Sequence, residues 1–179
     1  MARLQTREED TLKKETLDLL DPTRMNGKIA DVYLQFANSE HALQAYMGME
    51  ASLRKSPLSD IELEAIKLSV SEITQCEFCL ATHTMKSRKA GLDKDQQLAV
   101  RSGAETGNAR LDVIVKIARH FFTQKGPLDD TLIADARAQQ LSDEALVDIA
   151  MTVSTIFFTN ITNHINNTES SLPAPPKIG

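Results

Sequence analysis

Cys76, Cys79 and His83 lie at i, i+3 and i+7 in the run CEFCLATHT, so a helix through this segment lines all three on one face. Two thiols so placed at a helix start can close a disulfide with little rearrangement. The thiolate is the reactive form, and two influences favour it at different sulfurs. A helix N-terminus would favour Cys76, whereas His83, one turn after Cys79, would favour Cys79 directly or through a water. The spacing does not rank them. One sulfur to attack a peroxide O–O bond, a second to resolve the sulfenic acid and an imidazole to move protons form a minimal set for two-thiol peroxide reduction. The same pair could exchange disulfides. An imidazole in this role needs an orienting carboxylate or carbonyl. Glu64 is the candidate, because it sits beside Leu68 at the edge of the apolar surface of the preceding segment.

Blander assignments compete. The two cysteines could simply fill a core, although Glu77 between them and His83 nearby are polar company. C-x2-C-x3-H could bind zinc with His164 as a fourth ligand, but three ligands on one helix make tetrahedral closure awkward. Glu64, near Lys67, could be a solvated helix-face charge. His41 and His120 have no such context and read as ordinary surface or interface residues.

The elements that must position this set read as helices throughout, and no segment sustains strand alternation, so the fold class is all-α. Residues 3–20 form an amphipathic arm with Leu4, Leu12, Leu17 and Leu20, broken at Asp21-Pro22. Between Lys28 and Leu53 the apolar positions recur at helical spacing with a joint near Asn38-Ser39, which predicts two helices. Ser59 with Glu62 three residues on predicts a capping box opening a helix to about Thr74. The next helix starts around the cysteine pair and stops at Gly91. Asp93 with Gln96 caps another that ends near Gly103. Further helices are expected over Arg110–Thr123, from Asp129/Asp130 to about Gln140, and from the Ser142 cap through Ile161. Leu58–Ile73 and Leu141–Ile156 agree at about half their positions, including the Leu-Ser-Asp cap, which suggests a duplicated helical unit. The second copy has Thr159 and Thr162 in place of the cysteines. The expected organisation is an N-terminal helical arm (1–22), a helical domain (23–169) and an extended tail (170–179) laid along a surface or partner.

Composition narrows the function classes. Only 4% of the 179 residues are aromatic against 41% hydrophobic, so aliphatic side chains must fill the core. The net charge of −5 leaves no basic footprint for nucleic acid or an anionic membrane. No 18-residue apolar run is evident, so no membrane-spanning helix is expected. The N-terminal segment lacks the layout of a signal peptide, and a cytoplasmic location follows as the expectation. In a reducing compartment a close cysteine pair is more often catalytic, redox-sensing or metal-binding than a structural staple.

With these residues assembled, the chain resembles the alkylhydroperoxidase D-like, carboxymuconolactone decarboxylase superfamily, in a peroxidase-related branch. The resemblance rests on Glu64, eleven intervening residues, then Cys76-Glu77-Phe78-Cys79 and His83. It is supported by Pro57-Leu58-Ser59 before and Lys89-Ala90-Gly91-Leu92 after. It is strong over residues 30–100 and looser to Asn160-x-x-Asn163-His164 and Thr168-Glu169. It implies a helical fold with an internal repeat, a homo-oligomer (trimer or hexamer), and a disulfide-forming peroxidase cycle in antioxidant defence. That cycle would be driven by a thiol or dithiol reductant, with no metal and no bound cofactor. Carried over, the resemblance makes Cys79 the sulfur oxidised by peroxide, Cys76 its resolving partner, and Glu64 with His83 the proton relay. Two departures bear on this. Phe78 stands where the well-studied relatives place a histidine, which removes one proton-handling group. The dithiol itself is generally lacking in the lactone decarboxylases, which argues against decarboxylation.

Overall fold

A computed structural model describes residues 2–124 and 126–178. Helices α1 (Lys14–Leu20), α2 (Asp31–Phe36), α3 (Glu40–Leu53), α4 (Asp60–Ile73), α5 (Glu77–Ala90), α6 (Lys94–Ser102), α7 (Ala109–Thr123), α8 (Asp130–Ala138) and α9 (Asp143–Asn166) succeed one another, and no strand occurs among the described residues. The all-α expectation holds and the capped helix starts fall where predicted, while α9 runs past Ile161 to Asn166. Ser59 and Glu62 close a reciprocal capping box, as do Asp93 and Gln96. Gly103, at φ +79°, ends α6 in the left-handed conformation that favours glycine.

Helix α4 is the centre, packing against α5, α6, α7 and α9. It is buried on more than one face, as a central helix must be. Leu63, Ile66 and Val70 join Val113, Ile114, Ile117, Ala145, Ile149, Val153 and Ile156 from α7 and α9, and this cluster includes both cysteines. Ala65 and Leu68 face Leu92, Val100, Leu111 and Val115. A third cluster, with Leu12, Leu20, Ile29, Leu34, Phe36 and Leu43, seats the N-terminal segment against α2 and α3. The two segments of similar sequence, α4 and the first half of α9, therefore lie against each other across the core.

Three expectations are corrected. The arm is helical only from Lys14, apart from a short 3-10 turn at Glu9–Thr11. Upstream, backbone N–H groups a helix would use are drawn into tertiary bonds, from Leu4 to Asn166 Oδ1 at 2.7 Å and from Arg7 to the Leu34 carbonyl at 3.3 Å. His120 is buried, 5% exposed, with Nε2 3.2 Å from the Gly126 carbonyl, so it is no surface histidine. Finally, α9 is long and apolar enough by length and composition to cross a membrane. Its buried face nevertheless carries Thr152, Thr155, Thr159, Asn160, Asn163 and Asn166, which are committed to protein partners.

Candidate dithiol site

The site is built on the elbow between α4 and α5. The elbow is a Schellman closure, with Gln75 N–H reaching the Glu72 carbonyl and Cys76 N–H the Ser71 carbonyl, both at 3.1 Å. Gln75 takes the left-handed position at φ +56°. Turning the chain this way makes Cys76 the N-cap of α5, its Sγ 3.4 Å from the donating Cys79 N–H. Cys76 and Cys79 form a disulfide with Cα atoms 5.3 Å apart, and each residue is 3% exposed. Phe78, between them, packs against the core cluster that holds both cysteines.

His83 follows Cys79 by one turn on α5 and is buried. Its Nδ1 lies 2.7 Å from Glu64 Oε2, on the neighbouring face of α4. Glu64 is thus an inward, largely buried carboxylate and not a solvated one. Burial pushes the imidazole below its ordinary value, against the pull of the Glu64 charge and hydrogen bond. Burial would raise the Glu64 carboxyl, but the His83 charge and hydrogen bond, with Lys67 and Lys86, together outweigh it and hold it down. The state consistent with both directions is an ionised Glu64 accepting Nδ1–H from a neutral His83, which leaves Nε2 as the basic nitrogen. Nε2 has no hydrogen-bond partner among the described residues. Behind Glu64, Lys67 is buried and donates to both carboxylate oxygens of Glu50 at 2.9 Å.

Three residues of α9 reach across to the same elbow. Asn160 Nδ2 donates to Thr74 Oγ1 at 2.6 Å, His164 Nε2 donates to the Thr74 carbonyl at 2.8 Å, and Asn163 Nδ2 donates to Cys79 Sγ at 3.3 Å. From the sequence, Asn160 and Asn163 have no place at the dithiol, and His164 has one only as a fourth zinc ligand. Their signal was polar residues at i, i+3 and i+4 interrupting the apolar run from Ile156 to Ile165. His164 thereby leaves the zinc arrangement without its fourth ligand, and no group of three or more metal-ligating side chains occurs among the described residues. His41 lies on the exposed start of α3, beside Ser39.

Residues 39–120 match the Carboxymuconolactone decarboxylase family. No curated protein sequence matches the chain. A peroxidase-related protein from Silicibacter sp. superposes with a TM-score of 0.78 at 22% identity, over 94% of this chain and 91% of its own. An alkylhydroperoxidase AhpD core from Ralstonia eutropha, also a peroxidase-related protein, gives 0.82 at 18% identity over 95% and 92%. The debrominase Bmp8, solved in complex with 2,3,4-tribromopyrrole, gives 0.75 at 16% identity over 94% and 92%. At these identities the structural likeness is one of fold.

Proposed function

We propose that this chain, whose residues 39–120 match the Carboxymuconolactone decarboxylase family and whose fold is that of the peroxidase-related proteins, is an alkylhydroperoxidase D-like member of that superfamily, and that its dithiol makes it a thiol-dependent peroxidase. The observation that carries the reading is the Glu64–His83 pair at 2.7 Å, placed one turn beyond Cys79 on the helix that Cys76 caps. His83 Nε2 takes the Cys79 thiol proton. The thiolate attacks the peroxide oxygen, the O–O bond breaks, and the proton passes to the departing alkoxide or hydroxide. The products are an alcohol or water and Cys79 sulfenic acid. Cys76 then displaces water from that sulfenic acid to give the disulfide, the state in which the pair is seen. A thiol or dithiol reductant, plentiful in a reducing cytoplasm, returns both thiols by exchange and leaves as its own disulfide. Glu64 holds Nδ1–H and stabilises the transient imidazolium.

The burial of both sulfurs favours a small substrate such as hydrogen peroxide or an organic hydroperoxide over a folded protein disulfide. A homo-oligomer is the assembly we expect. Phe157, Ile161 and Ile165, exposed at i, i+4 and i+8 along α9, form the apolar surface it would cover. The test is peroxide consumption with a dithiol reductant. The wild type turns over and Cys79→Ser does not. Full turnover by Cys79→Ser would refute the reading. Fast disulfide exchange with negligible peroxide loss would replace it by a disulfide oxidoreductase, and activity indifferent to thiol alkylation by a decarboxylase.

A further inference from the structure

We propose that Asn163 is a catalytic hydrogen-bond donor that fixes the reactive thiolate on Cys79; this rests on the dithiol reading above and deepens it. The residue is 5% exposed, and its Nδ2 donates to Cys79 Sγ from a different helix, 84 residues away in sequence. Its Oδ1 is buried without a hydrogen-bond partner among the described residues. An orphaned buried acceptor is a net cost to folding, so packing alone is a poor reason for an asparagine on this face of α9. Ile149, Val153 and Ile156 occupy the core-facing positions nearer the start of the helix.

The chemistry of sulfur supplies the reason. A disulfide or thiol sulfur accepts a hydrogen bond weakly, whereas a thiolate accepts a charge-assisted one. The Asn163 contact therefore strengthens when the disulfide is reduced and Cys79 ionises, and so favours ionisation there. Cys76 has a different donor, the Cys79 backbone N–H at 3.4 Å. That bond is an ordinary N-cap bond, made within the first turn of α5 itself. Only Cys79 combines a side-chain donor from α9 with a histidine one turn away. The ambiguity left by helix terminus and histidine is thus resolved from a third element. Asn160 and His164, bonded to Thr74, hold α9 in register with the elbow so that Asn163 meets the sulfur.

The test uses the full chain with Cys76→Ser, so that one thiol remains, and reads the pH dependence of Cys79 alkylation by iodoacetamide. Asn163→Leu should lower the alkylation rate at neutral pH about tenfold, equivalent to one unit in thiol pKa. Asn163→Asp, nearly isosteric but acceptor-only and negative, should lower it further. Thermal melts identify whether each variant is folded, and the aspartate variant decides the matter if the leucine variant is not. A Cys79 titration in the aspartate variant indistinguishable from that of the parent would overturn the proposal. Unchanged titration, with peroxide turnover intact in the protein that keeps both cysteines, removes the role of Asn163 alone. A titration that responds to Asn163, with no peroxide consumed by the protein that keeps both cysteines, removes the peroxidase reading alone.

Discussion

His83 is useful as a base only if its second nitrogen is left free, and Glu64 secures this by occupying Nδ1. Replacing Glu64 with Gln should lower peroxide turnover about 10- to 100-fold with little change in KM. The pH profile carries the sharper signature. Burial already holds the imidazole low and Glu64 opposes that; removing the carboxylate lets it fall further, so the acid limb of kcat should move to lower pH in the variant. An acid limb that stays in place would show that His83 is not the titrating base. Glu64 was legible in the sequence because its position beside Leu68 at the edge of an apolar stripe made an inward carboxylate readable. Asn163 was not, because a single asparagine in a helix reads as solvated surface until the neighbouring helix is in place.

At the scale of elements, the site depends on how α4 starts and ends. Glu62 bonds the Ser59 backbone N–H at 2.7 Å and receives Arg110 Nε at 2.6 Å, so the cap also ties α4 to α7. Ser59→Ala should cost about 1 kcal/mol, read as a lower urea midpoint, while leaving the disulfide cycle competent. A midpoint unchanged within error would mean that Glu62 and Arg110 alone hold this end. Caps and stops were readable because they rest on local hydrogen bonds between residues two to five apart. The non-helical start of the arm and the continuity of α9 through Asn166 were not, since both depend on partners distant in sequence, as far apart as Leu4 and Asn166. Asn166 shows the point. Its Oδ1 accepts from the Arg3 and Leu4 backbone N–H groups, and its Nδ2 donates to Gln35 at 2.7 Å.

For the whole molecule, that single side chain joins both ends of the chain. Asn166→Ala strands the N–H of Leu4 and the side chain of Gln35. It should destabilise the protein by roughly 2–3 kcal/mol and make the first residues the earliest site of proteolysis; an unchanged digestion pattern would contradict this anchoring role. The buried pair also sets a pH dependence. Both His83 and Glu64 are held below their ordinary values, so each binds fewer protons folded than unfolded, and stability falls as pH drops. The His83 part is full above about 6.5 and is lost on going below it. The part from Glu64 follows at more acid pH. Urea midpoints should therefore decline from pH 7 to 5 more steeply in the wild type than in His83→Gln, and parallel declines would contradict the assignment.

Which sulfur meets the peroxide decides the mechanism. Reduced Cys76→Ser and Cys79→Ser proteins, each given one equivalent of hydrogen peroxide with dimedone present, separate the two by mass spectrometry. The predicted result is a dimedone adduct on Cys79 in the Cys76→Ser protein and none in the Cys79→Ser protein. An adduct on Cys76 in the Cys79→Ser protein, with Cys79 unmodified in its counterpart, would contradict it.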